Sequence, residues 1–336
     1  MNGVRIFGEW ADAGSAGVDL FFVISGFVMF ITTYRNSGGW KASTIFIYAR
    51  IARIYPLWWV MLSMLTIVWK LYPSIINREN LNPNWLKDYL LIYKGESPLL
   101  EVGWTLIHEM YFYILFSFTL LFFFNFKKRI YFILLWSFAL ITLSINNKIP
   151  SHSIFHLIFH PLTLEFVAGT LSGYALIYFK KKYGLLILIF GIFLFMISLW
   201  VSAFTSFNTL FGLKGYLDDW PRVLLFTIPS ALVVYGAAAV EKEHIGLLGR
   251  MFSKIGDWSY SLYLTHVMSL AVFGSLWKNI HVDTFIGHTV ALIIIYSTCL
   301  FIAYLSFRFV ERPIMNTSKR YKCIIFDDRE KNIASA

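Results

Sequence analysis

In GWTLIHEMYFY, residues 103–113, and the turn that follows, Thr105, Glu109, Tyr113 and Ser117 recur at successive i+4 positions. At helical spacing this makes one polar stripe on an otherwise aromatic helix. A carboxylate there can accept a proton or hold a base in place. The alternative is a structural acid, bonded to an Arg or Tyr of a neighbouring helix. His108 points away from the stripe and reads as an interfacial residue. In GDWSYSLYLTHV (256–267), Ser259, Tyr263 and His266 share a face, with Ser269 beyond them. An imidazole with Tyr and Ser neighbours suits proton transfer, and equally suits a packed, hydrogen-bonded histidine. In ARIARIYP (49–56), Arg50 and Arg53 lie one turn apart. Two guanidinium groups so placed fit a phosphate-bearing ligand; they also fit plain anchoring at a membrane surface.

Two further sets hold ionisable groups. GVDLFFVISGF (17–27) puts Asp19 at the mouth of an apolar run. His152, His156 and His160 recur at spacing four, with Glu165 beyond. Histidines at i and i+4 can share a metal. However, Pro161 favours a helix that starts near His160 and leaves the other two in a loop, so no metal is assigned.

The elements that carry these residues follow from composition. Of 336 residues, 58% are hydrophobic and 14% charged, with a mean hydropathy of +0.64. Soluble domains carry about 25% charged residues. The apolar residues fall in blocks of roughly twenty, the length of a membrane-crossing helix, and not in the alternating ten-residue segments of a barrel. The expected fold is all-α, a polytopic transmembrane helix bundle. Its spans run over about 17–34, 54–72, 104–125, 130–146, 158–178, 184–204, 220–240, 259–277 and 286–308. No GxSxG elbow, P-loop, dinucleotide fingerprint or CxxC pair occurs. The net charge of +10 sits in clusters at the ends of spans, which argues for membrane orientation and lipid headgroups and against nucleic acid. Two cysteines, Cys299 and Cys323, make no disulfide framework.

Every odd-numbered exit is basic: Arg35, Lys41, Arg50 and Arg53; Lys127, Lys128 and Arg129; Lys180 to Lys182; Lys242, Arg250 and Lys254; and the tail from Arg308. The loops at 73–103 and 205–219 balance their charges. The first of them is long enough for an amphipathic helix on the outer surface. Cytoplasmic loops are enriched in Lys and Arg, so the C-terminus is expected in the cytoplasm and residues 1–16 outside. A further span upstream would return the N-terminus to the cytoplasm and bring the total to ten.

Taken in order, GVDLFFVISGF, RIARIYP, WTLIHEMYFY, EFVAGTLSGY, GDWSYSLYLTHV and FVERP resemble the motifs of the membrane acyltransferase 3 family. The resemblance covers essentially the whole chain and is strongest to the branch that acetylates bacterial exopolysaccharides. It implies a bundle of about ten membrane helices in the bacterial inner membrane, over residues 1–312, with a polar cytoplasmic tail at 313–336. The implied activity is O-acyl transfer, with acetyl moving from acetyl-CoA or another acyl-CoA to hydroxyls of an exopolysaccharide or lipid-linked saccharide, and with no bound cofactor. By the same resemblance, Arg50 and Arg53 match the family's arginine motif and handle the donor. Trp104 and Glu109 match W-x-L-x-x-E, and Tyr260, Tyr263 and His266 match S-Y-x-L-Y-L-x-H, which implies catalytic roles for Glu109, Tyr260, Tyr263 and His266 and a supporting one for Trp104. Asp19 and Glu311 match supporting acids. The family's first helix, with an Arg, ten residues and then a His, has no match here, which implies an N-terminally truncated chain or a degenerate copy. The reading from another class is a non-catalytic membrane protein, either a pseudoenzyme or a transporter component of a polysaccharide assembly system.

Overall fold

A computed structural model describes residues 14–71, 84–146, 149–150, 152–179, 183–204, 219–243, 256–278 and 285–321. Its helices are α1 (Gly17–Thr33), α2 (Trp40–Leu71), α3 (Trp85–Tyr89), α4 (Gly103–Phe122), α5 (Phe126–Asn146), α6 (Ile154–Ile158), α7 (Thr163–Tyr178), α8 (Gly184–Phe204), α9 (Asp219–Glu243), α10 (Ser259–Lys278) and α11 (Phe285–Ser306). No strand occurs among the described residues, and a long helix stands at each of the nine expected positions. Among the described residues, seven helical segments are long and apolar enough to cross a membrane. Helix α1 has 17 residues and falls just short. Helix α10, with Ser259, Ser261, Thr265, His266 and Ser269 along it, is not among the seven. The chain is an all-α, polytopic helical protein.

Three boundaries differ from expectation. Helix α2 starts at Trp40, well before residue 54, because Lys41, Arg50 and Arg53 lower hydropathy without breaking a helix. Helix α11 does not stop near 308. It widens into a π-turn at Phe307–Glu311 and continues to Tyr321. Between α6 and α7 the chain turns at Phe159–Leu162 around Pro161, so the helix starts at Thr163.

The chain forms two compact units and passes between them at three places, after Gly39, within α4 after Ile107, and after Gly249. The first unit holds α1, the part of α4 from His108, and α5 to α9. Lipid offers no hydrophobic drive for helix association, so small residues that admit close backbone contact take over. Gly26 of α1 faces the Phe166 backbone, and Gly169 of α7 faces the Val23 carbonyl; a Cβ at either would collide with main chain. Gly191 and Gly236 do the same for α8 against α9.

Two guanidinium groups tie this unit together. Arg222 of α9 grips Asp19 of α1 with two parallel bonds, Nε to Oδ1 at 2.7 Å and Nη2 to Oδ2 at 2.8 Å, and Nη2 also donates to the Ser15 carbonyl at 2.9 Å. Asp19 is fully buried. The acid at the mouth of the first apolar run is thus one half of a bidentate ion pair. Arg129, expected as one of three surface cations, is buried. It donates to Phe123 O at 2.7 Å, Asn36 O at 2.8 Å and Thr33 O at 3.4 Å. These carbonyls lie at or just beyond the C-terminal ends of α4 and α1, where acceptors outnumber helical N–H donors and a cation is favoured.

The second unit holds α2, α3, the start of α4, α10 and α11. The described part of the 73–103 loop carries the five-residue helix α3; residues 72–83 lie outside the described residues. Three aromatic donors of α2 serve the consecutive carbonyls that close α3: Trp58 to Asp88 O at 3.0 Å, Trp59 to Tyr89 O at 2.9 Å and Tyr55 to Leu90 O at 2.8 Å. The Asp88 carboxylate pairs with Lys94 at 2.8 Å. This loop is clamped to α2 by the polar tips of aromatic rings.

Removing one partner of a buried ion pair strands the other charge, at a cost of about 3–5 kcal/mol. Arg222→Ala and Asp19→Ala are therefore each expected to lower the unfolding temperature of the detergent-purified protein. The exchange Asp19→Arg with Arg222→Asp should recover part of that loss; single variants with unchanged unfolding temperature would contradict the pairing. Arg129→Gln is expected to cost about 2 kcal/mol or more, because several buried carbonyls lose a charged donor. The same thermal assay reads this out.

Candidate functional sites

Within the first unit, the acid of the α4 stripe is enclosed. Glu109 is 4% exposed. Its Oε1 accepts from Ser25 of α1 at 3.0 Å and from Tyr113, one turn along its own helix, at 2.5 Å. Ser117 is buried on the same face of α4. Two hydroxyls converge on one carboxylate oxygen and fix the orientation of the group. Ser25 escaped the sequence reading, since nothing in GVDLFFVISGF marks that serine over its neighbours.

His108 corrects an expectation. It is buried, not interfacial. Its ring meets His160 edge-on, with centroids 4.5 Å apart, and His160 meets His156 at 5.3 Å. The Leu162 N–H donates to His160 Nδ1 at 3.4 Å, which leaves the proton of the neutral ring on Nε2. His156 and His160 therefore meet His108 in a series of edge-on ring contacts, and no group of three metal-binding side chains gathers among the described residues.

Within the second unit, the sequence-selected residues divide. Tyr260 is buried and donates to Ile54 O at 2.7 Å, two residues before the in-helix Pro56. Its hydroxyl is committed to positioning α2. Tyr263 pairs with Thr105 Oγ1 at 2.5 Å and reaches Val102 O at 3.3 Å. His266 Nδ1 lies 2.6 Å from the Tyr263 carbonyl. A carbonyl only accepts, so Nδ1 carries the proton, and in the neutral ring Nε2 holds the lone pair, the tautomer a general base needs. Trp104, at the first turn of α4, is half-buried.

The supporting acid Glu311 is 3% exposed and accepts from Ser261 of α10 at 2.6 Å. Ser261 lies off the Ser259–Tyr263–His266 face, which is why the stripe reading passed over it. Glu311 also lines a cavity of about 350 Å³ with Arg53, Asp257, Arg312, Asn316 and Lys319. The two arginines of the α2 pair part here: Arg53 lines this cavity, while Arg50 lies over the Phe46 ring at 5.2 Å. Arg222, the partner of Asp19, was also missed. A lone Arg at the start of an apolar helix, in DDWPRVLLF, is the signal that pointed to it.

Comparison with known proteins bears on the family of the chain. A profile of the acyltransferase domain family matches residues 2–308. The chain is 30% identical over 271 residues to the exopolysaccharide production protein ExoZ of Rhizobium meliloti, covering 77% of each chain. It is 26% identical over 367 residues to the O-acetyltransferase OatA of Staphylococcus aureus, covering 96% of this chain and 56% of that protein. No solved structure matches. With nearly the whole chain matched by the family profile, this protein belongs to the membrane acyltransferase 3 family and is an acyltransferase.

Proposed function

We propose that this acyltransferase moves acetyl from acetyl-CoA to hydroxyls of an exopolysaccharide or related cell-surface glycan. It would sit in the bacterial inner membrane with its C-terminus in the cytoplasm, its acyltransferase domain ending near residue 312 and a polar tail following. The observation that carries the reading is the cavity in which Arg53, Arg312 and Lys319 gather. A cation-lined cavity of that kind suits a phosphate-bearing donor. The basic loops after the odd-numbered spans support a cytoplasmic face there. The name of the Rhizobium relative, and its 30% identity, support a glycan acceptor.

In this reading the acceptor hydroxyl attacks the thioester carbonyl, a C–O bond forms, the C–S bond breaks, and the hydroxyl proton ends on the departing thiol. The base must hold that proton in between. Glu109, with Ser25 and Tyr113 fixing its carboxylate, and His266, with its Nε2 lone pair, are the groups we assign to proton handling. Tyr263 and Tyr260 keep the His266 helix in place, and Trp104 sets the start of α4. Arg53 holds donor phosphate at the cavity, and Arg50 is assigned to the donor with it through their shared motif. Asp19 and Glu311 support the two sites.

Positioned acid–base groups contribute about 10²–10⁴-fold, so Glu109→Gln is expected to cut glycan O-acetylation at least about 100-fold while the protein stays folded. Arg53→Ala is expected to raise KM for acetyl-CoA more than kcat falls. Ester-linked acetyl on the isolated polysaccharide, and thiol release by the purified enzyme, check the two. Unchanged acetyl content in both variants would overturn the assignments.

A further inference from the structure

We infer that Arg312 and Lys319 form, with Arg53, a two-position phosphate subsite that selects a donor by its nucleotide 3′-phosphate. This rests on the acyl-CoA reading given above and goes beyond it, because plain thioester chemistry needs no nucleotide. The first support is the wall itself. Phe307, Glu311, Arg312, Met315, Asn316 and Lys319 line the cavity from one continuous helix. Arg312 and Lys319 are seven residues apart, two helical turns or about 10 Å. That separation suits two phosphate groups on one molecule, as coenzyme A carries in its diphosphate and its 3′-phosphomonoester.

The second support is the turn that aims them. The Arg312 N–H bonds to Phe307 O, five residues back, and Pro313 follows with no N–H to donate. Each π-turn inserts one residue into the helical register. Here the inserted residue lets Glu311 reach Ser261 at 2.6 Å while Arg312 still faces the cavity. A π-turn at a cavity wall is a frequent mark of a functional site.

The third support is charge and size. Three cations and two acids, Asp257 and Glu311, line the space. Glu311 is held by Ser261 and faces Arg53 electrostatically. Neither Arg312 nor Lys319 has an ion-pair partner among the described residues. Both are exposed, so a soluble anion can reach them. A cavity of about 350 Å³ lies at the small end of ligand sites, roughly 300–1,000 Å³, which suits the nucleotide end of the donor and not the whole of it. Arg312 offers the planar fork that grips a diphosphate, and Lys319 the point charge that suits a terminal phosphate. An anionic lipid headgroup shares this phosphate chemistry, and the test separates the two.

The experiment measures binding of coenzyme A and 3′-dephospho-coenzyme A to the full chain in nanodiscs of zwitterionic lipid, then of lipid with added phosphatidylglycerol. Wild type is expected to favour coenzyme A by at least about 10-fold, a modest share of what a charge-assisted phosphate contact supplies. Lys319→Ala should reduce that preference to about 2-fold or less without weakening dephospho-coenzyme A, and Lys319→Arg should restore most of it. Equal affinity of wild type for both ligands, or equal weakening of both by Lys319→Ala, would overturn the inference and leave the acyl-CoA reading standing. Loss of coenzyme A binding on adding phosphatidylglycerol, relieved by Lys319→Ala, would also overturn it in favour of a lipid site. Binding of neither ligand to wild type in either disc would overturn both.

Discussion

A carboxylate in an apolar interior must be given partners, and the bidentate grip of Arg222 on Asp19 is the clearest case in this protein. The idealised cost of moving a lone ion into such surroundings is of order 20 kcal/mol, far above what a few packing contacts return. Once the pair forms, α1 is pinned at its first turn to α9, across 203 residues of sequence. The glycine contacts can then bring α1 against α7, since a helix fixed at one end has few ways left to lie. A buried ion pair often gives no more net stability than a well-packed apolar substitute, while removing one partner of it is costly.

The same constraint organises the remaining buried acids, by different means. Glu109 is satisfied by two hydroxyls, and Glu311 by Ser261 beside Arg53. A hydroxyl can swing away or give up its place to a substrate group more readily than a guanidinium fork can. On this view the ion-paired Asp19 holds structure, while the hydroxyl-bound acids are the ones suited to chemistry. Tyr260 and Tyr263 divide in a similar way. One is spent on a backbone carbonyl of α2, and the other meets a threonine hydroxyl.

Much of the fold could be read from the sequence, because apolar runs of about twenty residues leave a chain few alternatives. Among the described residues a long helix overlaps each of the nine expected spans, and the errors at α2 and α11 share one cause. Hydropathy marks where lipid-compatible residues end, not where a helix ends. Helix α2 therefore began early, through Lys41 and Arg50, and α11 ran on past Pro313. The site was legible only in part. Spacing on a single helix singled out Glu109; for His266 and the Arg50–Arg53 pair it left a structural reading open, and the family resemblance made them candidates. Spacing could not reveal Ser25, Ser261 or Arg222, because those partnerships form between helices 84, 50 and 203 residues apart. His108 was misplaced for a related reason: facing away from its own polar stripe, it finds His160 on another element. Arg129 looked like a third surface cation beside two lysines, and only tertiary structure distinguishes the one that caps two helices.

The claim that most depends on all of this is that the protein cleaves an acyl thioester and leaves the acyl group on a saccharide. The direct measurement supplies the full protein in nanodiscs with acetyl-CoA and polysaccharide from the source cells. It follows free thiol and ester-linked acetyl together. The account predicts that thiol appears only when the polysaccharide is present, in step with an equal amount of glycan-bound acetyl. Thiol release with no acetyl on the glycan, or no release with every component present, would contradict it.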